Sequence, residues 1–159
     1  MIFVTVGSQK FQFNRLLRAI DKLVEKGDIQ EEVFAQSGAC DYAPKYYSSQ
    51  PFLDRDDFSK EIDQCDLVIT HGGTGAIVGA LKEGKKVIAV PRLAKYGEHV
   101  DDHQCQLIEQ FTKANLISGC ENIEQLGSII KEIREREFNQ YVSNTKLYLN
   151  TIDNYIKSL

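Results

Sequence analysis

Short runs of consecutive apolar residues alternate along this chain with stretches in which apolar residues return every three or four positions. Ile2 to Val6 (IFVTV) is the first run, stopped by Gly7-Ser8. Glu32 to Gln36, Tyr46 to Phe52, Leu67 to Ile69, Val87 to Val90 and Leu116-Ile117 come after it. Brief β-branched runs bounded by Gly, Pro, Asp or Ser read as buried strands. Between them, Phe13, Leu16, Leu17, Ile20, Leu23 and Val24 keep helical spacing, with Asn14 or Gln12 near the cap and Gly27 as the stop. A short helix capped by Asp56 or Asp57 carries Phe58 and Ile62, and a third runs from about Thr74 to Lys82 and stops at Gly84. Asp101 or Asp102 caps a fourth through Leu107, Ile108 and Phe111, and Asn122 a fifth through Leu126, Ile129, Ile130 and Ile133. Strand and amphipathic helix alternating in this way predict an α/β fold, a doubly wound parallel sheet of about six strands.

The last segment, Phe138 to Leu159, places Phe138, Tyr141, Val142, Thr145, Tyr148, Leu149, Ile152, Tyr155, Ile156 and Leu159 on one stripe, which predicts a long C-terminal helix. Its apolar face packs back on its own domain or docks on a second protein. With 159 residues, 42% of them hydrophobic, the chain has material for one core, so residues 1–159 are read as a single domain.

Charge narrows the partners. Charged residues make up 26% of the chain with both signs interspersed, and the net charge of -4 argues against a nucleic-acid partner. Lys82, Lys85, Lys86, Arg92 and Lys95 form a local basic group, read as a solvated face or a docking surface for anionic lipid or a partner. Cys40, Cys65, Cys105 and Cys120 show no CxxC pairing, as expected of small buried side chains in a reducing cytoplasm. The first residues lack the basic and long apolar regions of a signal peptide, and no apolar run reaches the length of a membrane span. Membrane association would then come through a partner or a surface helix.

The chemistry concentrates where strands end. His71-Gly72-Gly73-Thr74-Gly75-Ala76 stands between the DLVIT run and the third helix. In an open parallel sheet ligands bind beyond the carboxyl ends of the strands. There Gly72, Gly73 and Gly75 allow a sharp turn and close approach, and the free N–H groups of Thr74, Gly75 and Ala76 point along the helix dipole at an anion. A diphosphate fits without a metal. The Thr74 hydroxyl can add a bond, and His71 can donate to a phosphate oxygen or fix the turn by bonding backbone. No Lys-Ser or Lys-Thr pair follows the glycines, so this is not a P-loop, and it is not GxGxxG. Gly7-Ser8 faces the same edge. A third cluster, Glu98-His99-Val100-Asp101-Asp102-His103-Gln104, holds groups suited to sugar hydroxyls, with Asp102 and Gln104 at a helix start. His99 and His103 have the spacing of helical metal ligands, but His99 precedes the cap, so no metal is expected.

With HGGTGA, KKVIAVPR and DDHQ in this order and spacing, the chain resembles the C-terminal, donor-binding domain of GT-B glycosyltransferases of family 28. It looks most like the one-domain subunit of two-part enzymes, the catalytic half of the dolichol-linked N-acetylglucosaminyltransferase and its bacterial capsule and exopolysaccharide counterparts. The resemblance implies one Rossmann-like half of a GT-B enzyme. It also implies a UDP-sugar donor held by Gly7, Ser8, Phe52, His71, Gly72, Gly73, Thr74, Gly75, Ala76, His103 and Gln104. In this set the glycine turn takes the diphosphate, His103 and Gln104 lie by sugar and phosphates, and the Pro51-Phe52-Leu53 segment holds the uracil. Where the family often has a carboxylate for the ribose this chain has Gly79, which leaves Glu98 as the substitute. The general base is His99, Glu98 or Asp102, or lies on the missing acceptor half.

The activity that the resemblance implies is an inverting transfer of a hexose from a UDP-sugar to a polyprenyl-diphosphate-linked saccharide in capsule or exopolysaccharide synthesis. The hexose is galactose, or else glucuronic acid or N-acetylglucosamine, and neither cofactor nor metal takes part. A membrane-associated acceptor-binding subunit supplies the other half and docks on residues 138–159, holding the chain in the cytoplasm at the inner face of the membrane. The competing expectation is a regulatory or scaffolding subunit that keeps nucleotide binding without turnover. A sugar-nucleotide epimerase or dehydrogenase is disfavoured, since no GxGxxG follows the first strand and no Tyr-x-x-x-Lys pair lies at a suitable site.

Overall fold

The computed structural model describes residues 1–142 and 152–158. Six strands form one parallel sheet: β1 (Ile2–Thr5), β2 (Val33–Gln36), β3 (Ser48–Gln50), β4 (Leu67–Thr70), β5 (Lys86–Ala89) and β6 (Ser118–Gly119), in the order β3-β2-β1-β4-β5-β6. The order reverses between β1 and β4, which pair in register from Ile2 opposite Leu67 to Thr5 opposite Thr70. The carboxyl ends of these two strands define the switch point, where the connections leave to opposite sides and open a crevice.

Alternate strand residues feed two apolar layers. Ile2, Val4, Val33, Ala35, Leu67, Ile69 and Ile88 face α1 (Asn14–Glu25) and α5 (Leu126–Ile133), which supply Leu16, Leu17, Ile20, Leu126, Ile130 and Ile133. On the other face Phe3, Val68, Val87 and Ala89 pack against α2 (Arg55–Gln64), α3 (Thr74–Lys82) and α4 (His103–Lys113) through Ile62, Ile77, Leu81, Ile108 and Phe111. Strands covered on both faces explain the uninterrupted apolar runs in the sequence.

Several local details differ from the sequence reading. The last strand lies at Ser118–Gly119, not Leu116-Ile117, because Leu116 still closes the end of α4 through its N–H to Phe111 O (3.1 Å) and pairing with β5 starts at Ser118. Asp54, not Asp56 or Asp57, caps α2, its carboxylate accepting from Asp57 N (2.8 Å). The predicted C-terminal helix does not begin at Phe138. Residues 136–142 are irregular because Asn139 donates from its backbone to Asn115 O (2.8 Å) and from its side chain to Ala114 O (2.9 Å), tying the segment to the end of α4. Phe138 packs on the first layer, while Tyr141 and Ile152 pack on the second. Residues 152–157 are helical, with Ile156 exposed. Thr145, Tyr148, Leu149 and Leu159 lie outside the described residues. All four cysteines are free, Cys65 and Cys120 buried. Among the described residues no helix is long and apolar enough to cross a membrane.

The basic group is also dispersed. Arg92 is fully buried, Lys85 Nζ donates to Asp63 O, and Lys86 Nζ donates to the carbonyls of Ile133 and Arg134. Arg92, Lys85 and Lys86 thus serve the ends of neighbouring helices and loops, while Lys82 and Lys95 are exposed as a solvated face expects.

The long β2–β3 connection is held by a buried carboxylate. Asp21 of α1 accepts from Tyr42 Oη (2.6 Å), Lys45 N (2.9 Å) and Tyr46 N (2.9 Å). Burial alone would raise its pKa, but the tyrosine hydroxyl and the two amides hold it below the ordinary value. A lowered folded-state pKa gives stability that is present above the unfolded value of 3.8 and is lost as the pH falls through the folded value. We predict that Asp21→Ala costs about 3 kcal/mol at pH 7 by denaturant unfolding, a difference that narrows on acidification toward pH 3.

Candidate active site

Thr70 ends β4 and α3 starts at Thr74, so His71-Gly72-Gly73 makes the whole turn from strand to helix. Gly72 has φ 89°, where a side chain is strained, and a Cβ there would lie 2.7 Å from Ile108 Cδ1. Gly73 is the N-cap and offers no side-chain cap. The N–H of Ile77 reaches Gly73 O (3.1 Å), which leaves the N–H groups of Thr74, Gly75 and Ala76 without intrahelical carbonyls at the positive end of the helix.

His71 is buried in the switch point. Its Nδ1 lies 3.4 Å from Thr5 O and 3.3 Å from Thr70 Oγ1. A carbonyl only accepts, so the bond to Thr5 puts the proton on Nδ1 and leaves Nε2 as a lone pair. A Cβ at Gly7 would lie 2.7 Å from Cε1, and one at Gly73 2.5 Å from Nε2: the ring fills the space between the turns after β1 and β4. Burial and the Arg92 charge lower its pKa from 6.5 to about 4. Of the two roles the sequence allowed, fixing the turn by bonding backbone is the one this geometry supports.

Other predicted residues come to the same edge. Gly7 (φ 77°) and exposed Ser8 follow β1, and a Cβ at Gly38, after β2, would lie 2.7 Å from Gly7 O. Phe52 follows β3 and is 56% exposed, two strands and thus about 10 Å across the sheet from β1. Gln104 is buried in the first turn of α4, its Cβ 3.9 Å from the Cβ position of Gly72, and its Oε1 accepts from Arg92 N (3.2 Å). His103, beside it, is exposed, its Nε2 3.6 Å from Asp101 Oδ2. His99 is packed against Phe11, ring centroids 5.6 Å apart, with Nδ1 3.2 Å from Asp101 Oδ1.

One expectation is corrected. Glu98 is buried rather than open to a ribose: Arg15 grips it through Nε (3.1 Å) and Nη2 (3.0 Å), and Leu93 N donates to Oε1 (3.0 Å). A carboxylate committed in this way is neither a free ribose acceptor nor a free base. Asp102 occupies the N-cap of α4 without a cap bond, and its Oδ1 instead accepts from Ala94 N (3.0 Å), holding the preceding loop. Asp101 supplies the bond to His103 N (3.1 Å).

Gly75 and Gly79 contrast with their neighbours, since a Cβ at either meets nothing within 4 Å. Arg92 and Gly38 are the structural members of this edge that the sequence reading did not place there. An arginine directly after an apolar strand and a proline was the available signal for the first. A separate concavity of about 840 Å³ runs along α1, lined by residues such as Arg18, Lys22, Tyr96 and Ile123.

Two measurements test this packing. Because the folded pKa of His71 is depressed, its contribution is complete above pH 6.5 and disappears as the pH falls toward 4. Between pH 7.5 and 4 the wild type is expected to lose about 3 kcal/mol more unfolding free energy than His71→Asn. Gly73→Ala, which sets a methyl against the imidazole, is expected to cost about 2 kcal/mol, and pairing it with His71→Ala should recover part of that loss.

Comparison with known proteins adds the family. The family model described as the glycosyltransferase family 28 C-terminal domain matches residues 1–159. The chain is similar to the UDP-N-acetylglucosamine transferase subunit ALG13 of Candida albicans, 34% identical over 86 residues, which are 54% of this chain and 24% of that protein. It is 28% identical over 126 residues to the human protein of that name, covering 75% of this chain and 11% of the relative. The match thus spans only a small part of these relatives. Solved structures of similar fold include the glycotransferase of kitacinnamycin (TM-score 0.65, 16% identity, 85% of this chain and 35% of that one). The calicheamicin glycosyltransferase CalG4 (0.62, 17%, 86% and 34%) and Acinetobacter baumannii MurG (0.58, 18%, 83% and 41%) share it too. At these identities the likeness speaks for the fold alone. On the match along its whole length, the chain belongs to the glycosyltransferase family 28 C-terminal domain family.

Proposed function

We propose that this chain is the donor-binding subunit of an inverting glycosyltransferase that uses a UDP-sugar and works with a membrane-associated partner. The observation that carries the reading is the uncapped amino end of α3 at the switch point, beside Gly7 and Gln104. Backbone N–H groups and the helix dipole at that place favour the diphosphate, most of all as it gains charge on leaving. Exposed Phe52, across the sheet, supplies an apolar surface for the uracil. No metal is assigned a part.

In the reaction an acceptor hydroxyl oxygen attacks the anomeric carbon from the face opposite UDP. The new C–O bond forms as the bond to the diphosphate oxygen breaks, the electron pair leaves with UDP, and the hydroxyl proton passes to a base. The amides of Thr74, Gly75 and Ala76 stabilise the leaving diphosphate. With Glu98 committed to Arg15 and Leu93 N, the base is assigned to the acceptor-binding partner, with His99 and exposed Asp102 the alternatives on this chain. One sheet provides one wall of a GT-B cleft, and the partner provides the other. Exposed Val142 and Ile156 are apolar surface suited to that contact. The partner also brings the lipid-linked saccharide acceptor and places this chain on the cytoplasmic face of the membrane. Among the hexoses compatible with the sequence, the shared name of the relatives favours N-acetylglucosamine over galactose or glucuronic acid.

The test is direct. Titration of the chain with UDP is expected to shift the amides of residues 71–76 in NMR spectra. Gly75→Val, whose side chain enters open space, should keep the fold and weaken UDP binding at least about tenfold. Unchanged amide shifts at saturating UDP would reject the reading. Transfer of radiolabelled sugar from UDP-sugars should require the partner and fail in Gly75→Val.

A further inference from the structure

Arg92 follows β5 almost at once and is the largest fully buried side chain among the described residues. Its guanidinium bonds to carbonyls: Nη1 donates to Phe11 O (2.8 Å), Gln12 O (3.2 Å) and Glu98 O (3.2 Å), and Nη2 donates to Val6 O. Its charged end lies 5.2 Å from the centroid of the Phe13 ring. Nε is buried without a partner among the described residues. The nearby carboxylate of Glu98 is turned to Arg15 and to Leu93 N.

As a stabilising element this is a poor choice. A buried cation facing neutral oxygens, with one N–H orphaned, carries desolvation costs that an apolar side chain of similar volume avoids. What the planar fork supplies is geometry. The oxygens it binds belong to both ends of the loop 6–12, which carries Gly7 and Ser8, and to the loop after β5, which leads to His99, His103 and Gln104. The backbone of the same residue orients Gln104: a backbone N–H only donates, so Oε1 faces Arg92 N and the two side-chain N–H groups are turned away from it.

We propose that Arg92 is a positioning residue for donor binding, which fixes the loop after β1 against the loop after β5 and so sets the spacing of Gly7 and Gln104 across the diphosphate site. The proposal rests on the donor-binding reading given above. An ammonium cannot replace the fork, because its donors radiate from one atom and do not span carbonyls on separate segments.

The experiment uses the full chain, UDP as the ligand, and calorimetry at a temperature where every variant is folded. Arg92→Lys and Arg92→Met should each weaken UDP binding about tenfold. Amide hydrogen exchange should accelerate at Val6 to Gln12. Ile133→Ala, which removes buried apolar contact in the first layer, should lower the melting temperature yet keep UDP affinity within about twofold. In Arg92→Ala, millimolar ethylguanidinium, which replaces the deleted atoms, should restore binding, and ethylammonium should not. If Arg92→Met does not fold, Arg92→Lys carries the comparison. Wild-type affinity in folded Arg92 variants overturns the positioning role and leaves the donor reading standing. Failure of the wild-type chain itself to bind UDP overturns both.

Discussion

The neutral imidazole of His71, wedged between Gly7 and Gly73 with its Nδ1 facing Thr5 O, is the contact around which the carboxyl edge of the sheet is arranged. Two turns that leave adjacent strands for opposite faces of the sheet are brought together by one ring, and neither can carry a side chain where the ring lies. The glycines of this turn therefore have different duties. Gly7 and Gly73 make room for His71, Gly72 makes room for Ile108 at a positive φ, and Gly75 opens outward. A glycine-rich motif that looks uniform in sequence thus separates into packing positions and one position that faces open space.

Around this centre, charge is used to hold loops rather than to display a field. Arg92 gathers carbonyls, Arg15 and Leu93 N take the Glu98 carboxylate, Asp102 takes Ala94 N, and Asp21 takes the β2–β3 connection. With these charges satisfied locally, the place proposed for the anion is the uncharged backbone at the amino end of α3. This is consistent with a net charge of -4 on a chain read as binding a diphosphate, since helix-terminal N–H groups attract an anion without a basic surface.

The strands and helices were legible because their signals are local. IFVTV, LVIT and KVIA are apolar on both faces, and Leu16, Leu17 and Ile20 recur at helical spacing, so sheet and helices come from pattern alone. The turn at His71 was legible for a similar reason: a glycine cluster directly between strand and helix can lie only at the carboxyl edge. The roles of Arg92 and Glu98 were not legible, because the arginine reads as one of a group of basic residues on a solvated face or docking surface and the glutamate as a free ribose acceptor or base. Nothing in local sequence tells that the carbonyls of residues 6, 11, 12 and 98 converge on one point. The start of the C-terminal helix was misplaced for the opposite reason: an apolar stripe continues through Phe138 and Tyr141, but Asn139 is drawn to the end of α4, and long-range bonds override the period.

That irregular stretch links the two halves of the hydrophobic interior. Phe138 belongs to one layer and Tyr141, three residues later, to the other, so a few residues of chain join what the sheet keeps apart. Loosening either layer pulls on the other through this strap. The strap thus adds to a coupling that the strands already provide, since consecutive residues such as Ile2 and Phe3 enter opposite layers.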